Sequence, residues 1–160
     1  IYTSMLLEAF LQSALPGSLS RPLRTDDFIL ANYGVWAWTV MEERTHFFLQ
    51  GRPDEGVTSE TALDAVQRTL ASVGEAGVPQ KSLDRLKRRL VKQAVRNADD
   101  RTFGLNRATN MLAFGHSPIT HDEHVAAIEA VEKANIDTLL SAIAASPHRI
   151  STKLNPLENN

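Results

Sequence analysis

The sequence predicts an α+β domain in which an antiparallel sheet carries helices packed on one of its faces. Three observations predict it. Residues 28–50 are rich in aromatic and β-branched side chains, nearly everything after them carries apolar residues at helical spacing, and a last β-like run follows at 148–154. No repeat, low-complexity tract or linker divides the 160 residues, so the reading is one domain over 1–160.

The elements follow in order. Met5, Leu6, Ala9, Phe10 and Leu15 stand at helical spacing in residues 1–15, and Pro16-Gly17 ends that run. Thr25, Asp26 and Asp27 make a polar turn. Residues 28–40 then hold no acid or base and read as a long strand. A charged turn at 41–44 and a second β run at 45–50 complete a predicted antiparallel hairpin, closed by a loop at 51–56. Leu63, Val66, Leu70 and Val73 form one helical stripe, stopped by Gly74 and Gly77; Leu83, Leu86, Leu90 and Ala94 form the next, after Pro79. A helix over 102–114 is expected to turn Leu105, Ala108 and Leu112 inward, with Gly115 as its stop. Thr120 and Glu123 fit a capping box ahead of Val125 and Ile128. The last helix carries Ile136, Leu139, Leu140 and Ile143 and ends at Pro147.

Composition narrows the function classes. Seventeen bases against nineteen acids give a net charge of -2, which argues against a nucleic-acid-coating surface. No apolar run reaches the length of a membrane span. The absence of cysteine excludes disulfides, a zinc ribbon and a thiol nucleophile, and fits both the cytoplasm and a bacterial periplasm. Because the chain starts at Ile1 inside a helical pattern, it reads as a mature segment or a piece of a longer protein.

Few residues suggest chemistry of their own. His121 and His124 are helical neighbours with Asp122 and Glu123 between them, but neither H-x-x-E-H nor H-E-x-x-H occurs, so the favoured reading is a solvated first turn. Residues 81–96 hold seven bases against Asp84 alone, a net +6 that leaves -8 for the rest of the chain. Lys81, Arg85, Arg88, Lys92 and Arg96 form a stripe that reads first as a solvated face pairing with Glu75, Asp99 and Asp100, and second as an anion-binding helix. Trp36 and Trp38, two apart on a strand, point to the same face. G-x-S-x-G, G-x-x-x-x-G-K and G-x-G-x-x-G are all missing.

Several strings in fixed order resemble the second-half domain of the pitrilysin and insulinase-like zinc metallopeptidases, which include mitochondrial processing peptidase and small bacterial relatives. Leu19, Leu23 and Arg24 are similar to the ends of that family's S-R-L-x-x-x-L-R segment. Residues 31–38, with Tyr33-Gly34-Val35, resemble its L-A-Y-S-V-S-A strand. Gly77-Val78 and residues 83–90 (LDRLKRRL) resemble its G-V-T-x-x-E-L-x-x-A-K-x-x-L helix, and residues 131–136 resemble its late V-T-x-x-D-I start.

The resemblance implies a zinc-free half that walls a chamber and contacts extended peptide, while an N-terminal zinc-bearing half or partner subunit supplies the metal on H-x-x-E-H. It implies that Arg24 reaches the peptide, and Tyr33 with it if two extra residues lie in the Thr25–Leu30 turn, since the family spacing of seven otherwise lands on Ala31; it also implies a strand pair ahead of Ile1. Two alternatives stay open. One is an inactive scaffold or binding subunit of the same fold, and the other is an anion-binding module using residues 81–96. For Arg24, the alternative is a pairing with Asp26 or Asp27 that pins the turn.

Overall fold

The computed structural model describes residues 1–40, 44–113 and 115–152. Helix α1 (Tyr2–Gln12) is central: it packs on strand β1 (Leu30–Val40) and also against α3 (Gln80–Arg96), α5 (His121–Ala130) and α6 (Lys133–Ala145). Its Leu6, Leu7, Phe10 and Leu11 are each at most 2% exposed, and burial of side chains of this size stabilises by about 1.5–3 kcal/mol apiece. The α+β reading holds, with helices packed on one face of an antiparallel pair.

Strands β1 and β2 (Arg44–Pro53) form a two-stranded antiparallel sheet in which Trp36 lies opposite Phe48. The second strand is longer than expected. Gly51, Arg52 and Pro53 still pair with Tyr33, Asn32 and Leu30, where a loop was predicted. Proline is tolerated there because it is the last residue of the strand. The expected turn at 41–44 lies, except for Arg44, outside the described residues, as do the side chain of Trp38, Phe114 and residues 153–154. Val35 faces the helices and is 2% exposed, whereas Trp36 and Phe48 are 47% and 48% exposed on the opposite face.

Helix α2 (Ser59–Ala76) starts at Thr58, whose side chain accepts the Thr61 N–H at 3.1 Å. Its inward face follows expectation except at its start: Val73 is buried and Val66 and Leu70 pack against the core, whereas Leu63 is 39% exposed and Ala62 and Ala65 are buried in its place. Small residues let α2 approach α6 closely. The helix also runs through Gly74, where a Cβ would lie 2.4 Å from the Ala144 Cβ, and it stops at Gly77 with φ +68°. Asp137 of α6 accepts the Val78 N–H at 2.8 Å and pairs with Lys133, fixing the link into α3.

Leu83, Leu86 and Ala94 of α3 are buried as predicted. So is the capping box of α5, where Thr120 accepts the Glu123 N–H at 3.2 Å and Glu123 accepts the Thr120 N–H at 2.7 Å. Ile136 and Leu140 of α6 are at most 1% exposed.

Two expectations fail. Helix α4 (Arg101–Ala113) has no buried residue, and Leu105 and Leu112 are 67% and 62% exposed, because among the described residues no other element packs closely against it. Residues 148–152 form no strand, and Ile150 is 95% exposed: no described strand runs alongside to accept their backbone bonds.

Candidate substrate-contact site

Residues 13–33 connect α1 to the sheet and carry the site. Serines tie the start of the segment down: the Ser13 hydroxyl donates to Phe10 O at 2.7 Å and the Ser18 hydroxyl to Ser13 O at 2.6 Å. Leu19 and Leu23 are at most 1% exposed and anchor it in the core. Residues Arg21–Asp26 form one π-helical turn, with Pro22 near its start, where the missing proline N–H has no helical acceptor to lose.

Beyond the turn, Phe28 adopts φ 49° with its ring 62% exposed. A bulky residue in this left-handed region costs about 1–3 kcal/mol and persists only where its surroundings hold it. Here the holding bonds are Ile29 N–H to Leu23 O at 2.9 Å and Asp54 N–H to Ile29 O at 3.0 Å.

A β-bulge follows. Leu30 and Asn32 sit opposite the consecutive residues Pro53 and Arg52, leaving Ala31 as the extra residue. The bulge shifts the alternation of faces by one. Leu30 is buried before it, and Tyr33 and Val35 are turned toward the helices after it.

The segment brings Arg24 and Tyr33 into electrostatic reach. Tyr33 is half-buried, and its hydroxyl donates to Leu11 O at 2.7 Å. Burial raises its pKa above 10, opposed by a hydrogen bond with Ser20 and by the Arg24 charge. Arg24 is exposed, and among the described residues it makes no ion pair. Asp26 is instead taken by Arg21 at 3.3 Å, and neither Asp26 nor Asp27 forms an ion pair with Arg24. The resulting surface presents one unpaired guanidinium, an exposed Phe28 ring and a tyrosine held by the core.

The histidines gather no such site. His124 is 9% exposed, and its Nδ1 lies 2.7 Å from the Tyr2 hydroxyl. Burial lowers its pKa, reinforced by the charges of Arg107 and His121. Its partner is 122 residues away, so helical periodicity carried no sign of it. Among the described residues no three His, Asp or Glu side chains come together to hold a metal ion. Along α3, none of the seven bases is ion-paired among the described residues, and Lys87 donates instead to Glu129 O at 2.8 Å. The open groove beside it is lined by Asp84, Lys87, Arg88, Val91, Lys92 and Glu129, with charges of both signs.

Comparison with solved structures decides the fold. A protein assigned as a zinc protease, from Bordetella pertussis Tohama I, superposes with a TM-score of 0.70 at 13% identity, over 88% of this chain and 77% of that one. The two chains share a fold. No family model matches the sequence, and no curated protein does. Arg24 lies in the π turn Arg21–Asp26 and Tyr33 lies within β1, just after the bulge.

Proposed function

We propose that this chain is the zinc-free half of a pitrilysin/insulinase-like zinc metallopeptidase, lining the chamber and holding extended peptide through Arg24. One observation carries the reading: an exposed arginine, without an ion pair among the described residues, lies within electrostatic reach of Tyr33, in a fold shared with a protein assigned as a zinc protease. The family pattern has Tyr seven positions after Arg, whereas Tyr33 stands nine after Arg24. The chain takes in an extra residue at the bulge at Ala31, and the π turn Arg21–Asp26 that holds Arg24 is a second place where a turn is widened by one residue.

In this reading a partner domain would hold the zinc, which would supply Lewis-acid chemistry for the scissile carbonyl and for water. Arg24 binds and orients: its planar fork of donors suits a peptide carbonyl or carboxylate, which a lysine does not reproduce. Tyr33 positions the turn, since its hydroxyl is already committed to Leu11 O. The test is Arg24→Ala in the assembled two-half enzyme. Peptide turnover is expected to fall at least about tenfold, roughly 1.4 kcal/mol of transition-state stabilisation, with the melting temperature held. Unchanged turnover per folded molecule overturns the assignment.

A second reading, an inactive scaffold of the same fold, is favoured by that same Tyr33 bond, which engages the tyrosine hydroxyl within the domain. An anion-binding role for α3 is favoured by its unpaired bases. Salt-sensitive binding of single-stranded nucleic acid, lost in the Arg88→Gln, Lys92→Gln double variant, distinguishes it.

A further inference from the structure

One edge of β1 pairs with β2, and helix α1 occupies the other with side chains. Val35 and Ala37 are two residues apart, so their backbone groups point to the same edge. There the Ala37 N–H donates to Glu8 Oε2 at 2.9 Å, and the Gln12 side-chain amide donates to Val35 O. Glu8 and Gln12 lie one turn apart on α1 and therefore reach the edge together. Between them they supply one acceptor and one donor, flanking Trp36, which is the pair a neighbouring strand would supply at that place.

We propose that this edge of β1 is an acceptor site for an extended polypeptide segment, and that Glu8 and Gln12 hold its hydrogen bonds until the segment displaces them. Backbone groups give such a site its affinity, and alternate side chains give it selectivity. The residue opposite Trp36 would share its outer face, where Trp36 and Phe48 already expose about half their surface, so an aromatic or large aliphatic side chain fits there. Its neighbours would point toward α1. Glu8 is the one charged residue of that helix, and once released from Ala37 it calls for a lysine or arginine. The occupant is thus a basic, extended segment with one apolar outward residue.

A second copy of the chain fits the edge poorly. It would arrive with its own α1 along its own β1 edge, bringing helix against helix and Glu8 against Glu8. A lone extended segment brings neither. The proposal rests on edge chemistry and not on the peptidase reading, so either can fail alone.

The test uses the full 160-residue chain and a fluorescent peptide of about seven residues, with a central tryptophan flanked by lysines, followed by anisotropy. Two further peptides carry N-methyl groups on alternate amides, one on the odd set and one on the even set. Pairing at an edge predicts that one methylated peptide loses binding and the other retains it. It also predicts that Gln12→Ala tightens the unmodified peptide about threefold or more, the order of one net hydrogen bond, because the competing amide is gone. Equal behaviour of the two methylated peptides, or no binding below about 1 mM, overturns the proposal. Dimerisation of the Gln12→Ala chain without peptide assigns the edge to a second copy and overturns it as well. Should that variant fold poorly, the two methylated peptides on the unsubstituted chain still decide.

Discussion

Gly74→Ala probes how closely α2 and α6 are packed. The added methyl would stand 2.4 Å from the Ala144 Cβ, whereas carbon atoms in contact sit about 3.5–4.0 Å apart. More than an ångström of separation is needed. The Ala144 Cβ is a rigid neighbour on the α6 backbone, and Leu140, one turn before it, is fully buried and cannot shift freely. Overpacking of this kind costs about 1–3 kcal/mol, against a gain of about 1 kcal/mol from replacing a helical glycine by alanine. The net expectation is a destabilisation of up to about 2 kcal/mol, or a fall of up to roughly 8 °C in melting temperature for a domain of this size. Thermal and urea unfolding measure it. The companion Ala144→Gly removes the colliding methyl, so the double variant is expected to recover part of the loss, as contacting residues couple. A Gly74→Ala chain more stable than the original, or no recovery in the double variant, refutes the close approach.

Three further outcomes follow from named contacts. The lowered pKa of His124 means that the unfolded chain binds its proton first, so stability is full above about pH 6.5 and declines as pH falls through the folded value; His124→Gln should flatten that slope in melts from pH 8 to 5, and an unaltered slope refutes it. Thr120→Ala removes the α5 cap and is expected to cost about 1 kcal/mol in urea unfolding, a loss of under 0.3 kcal/mol arguing that the box does not hold α5. Asp137→Ala leaves the Val78 N–H without its acceptor and is expected to cost about 1–3 kcal/mol, while a neutral result argues that water replaces the carboxylate.

Periodicity made the core of α1, α3 and α6 legible, because each buries one continuous stripe against large neighbours. At α2 it held for Val66, Leu70 and Val73 and failed at Leu63, which is 39% exposed while the smaller Ala62 and Ala65 are buried, because hydrophobicity alone ranks leucine first. It failed again at α4: Leu105 and Leu112 have helical spacing, but spacing cannot say whether anything packs against them. Arg24 and Tyr33 were readable only through resemblance. The π turn that holds Arg24 and the bulge at Ala31 are one-residue adjustments with no compositional signature. The Tyr2–His124, Glu8–Ala37 and Asp137–Val78 bonds join residues 29 to 122 positions apart, which no local pattern encodes.

The central claim is that this chain completes a peptidase whose metal lies elsewhere. Reconstitution tests it most directly: peptide hydrolysis is measured for this chain, for the half bearing H-x-x-E-H, and for their mixture. The account predicts that each half alone is inactive and that the mixture cleaves extended peptide, with Arg24→Ala reducing the mixture's rate about tenfold or more. Full activity of the zinc-bearing half alone, or an inert mixture of two folded halves, contradicts it.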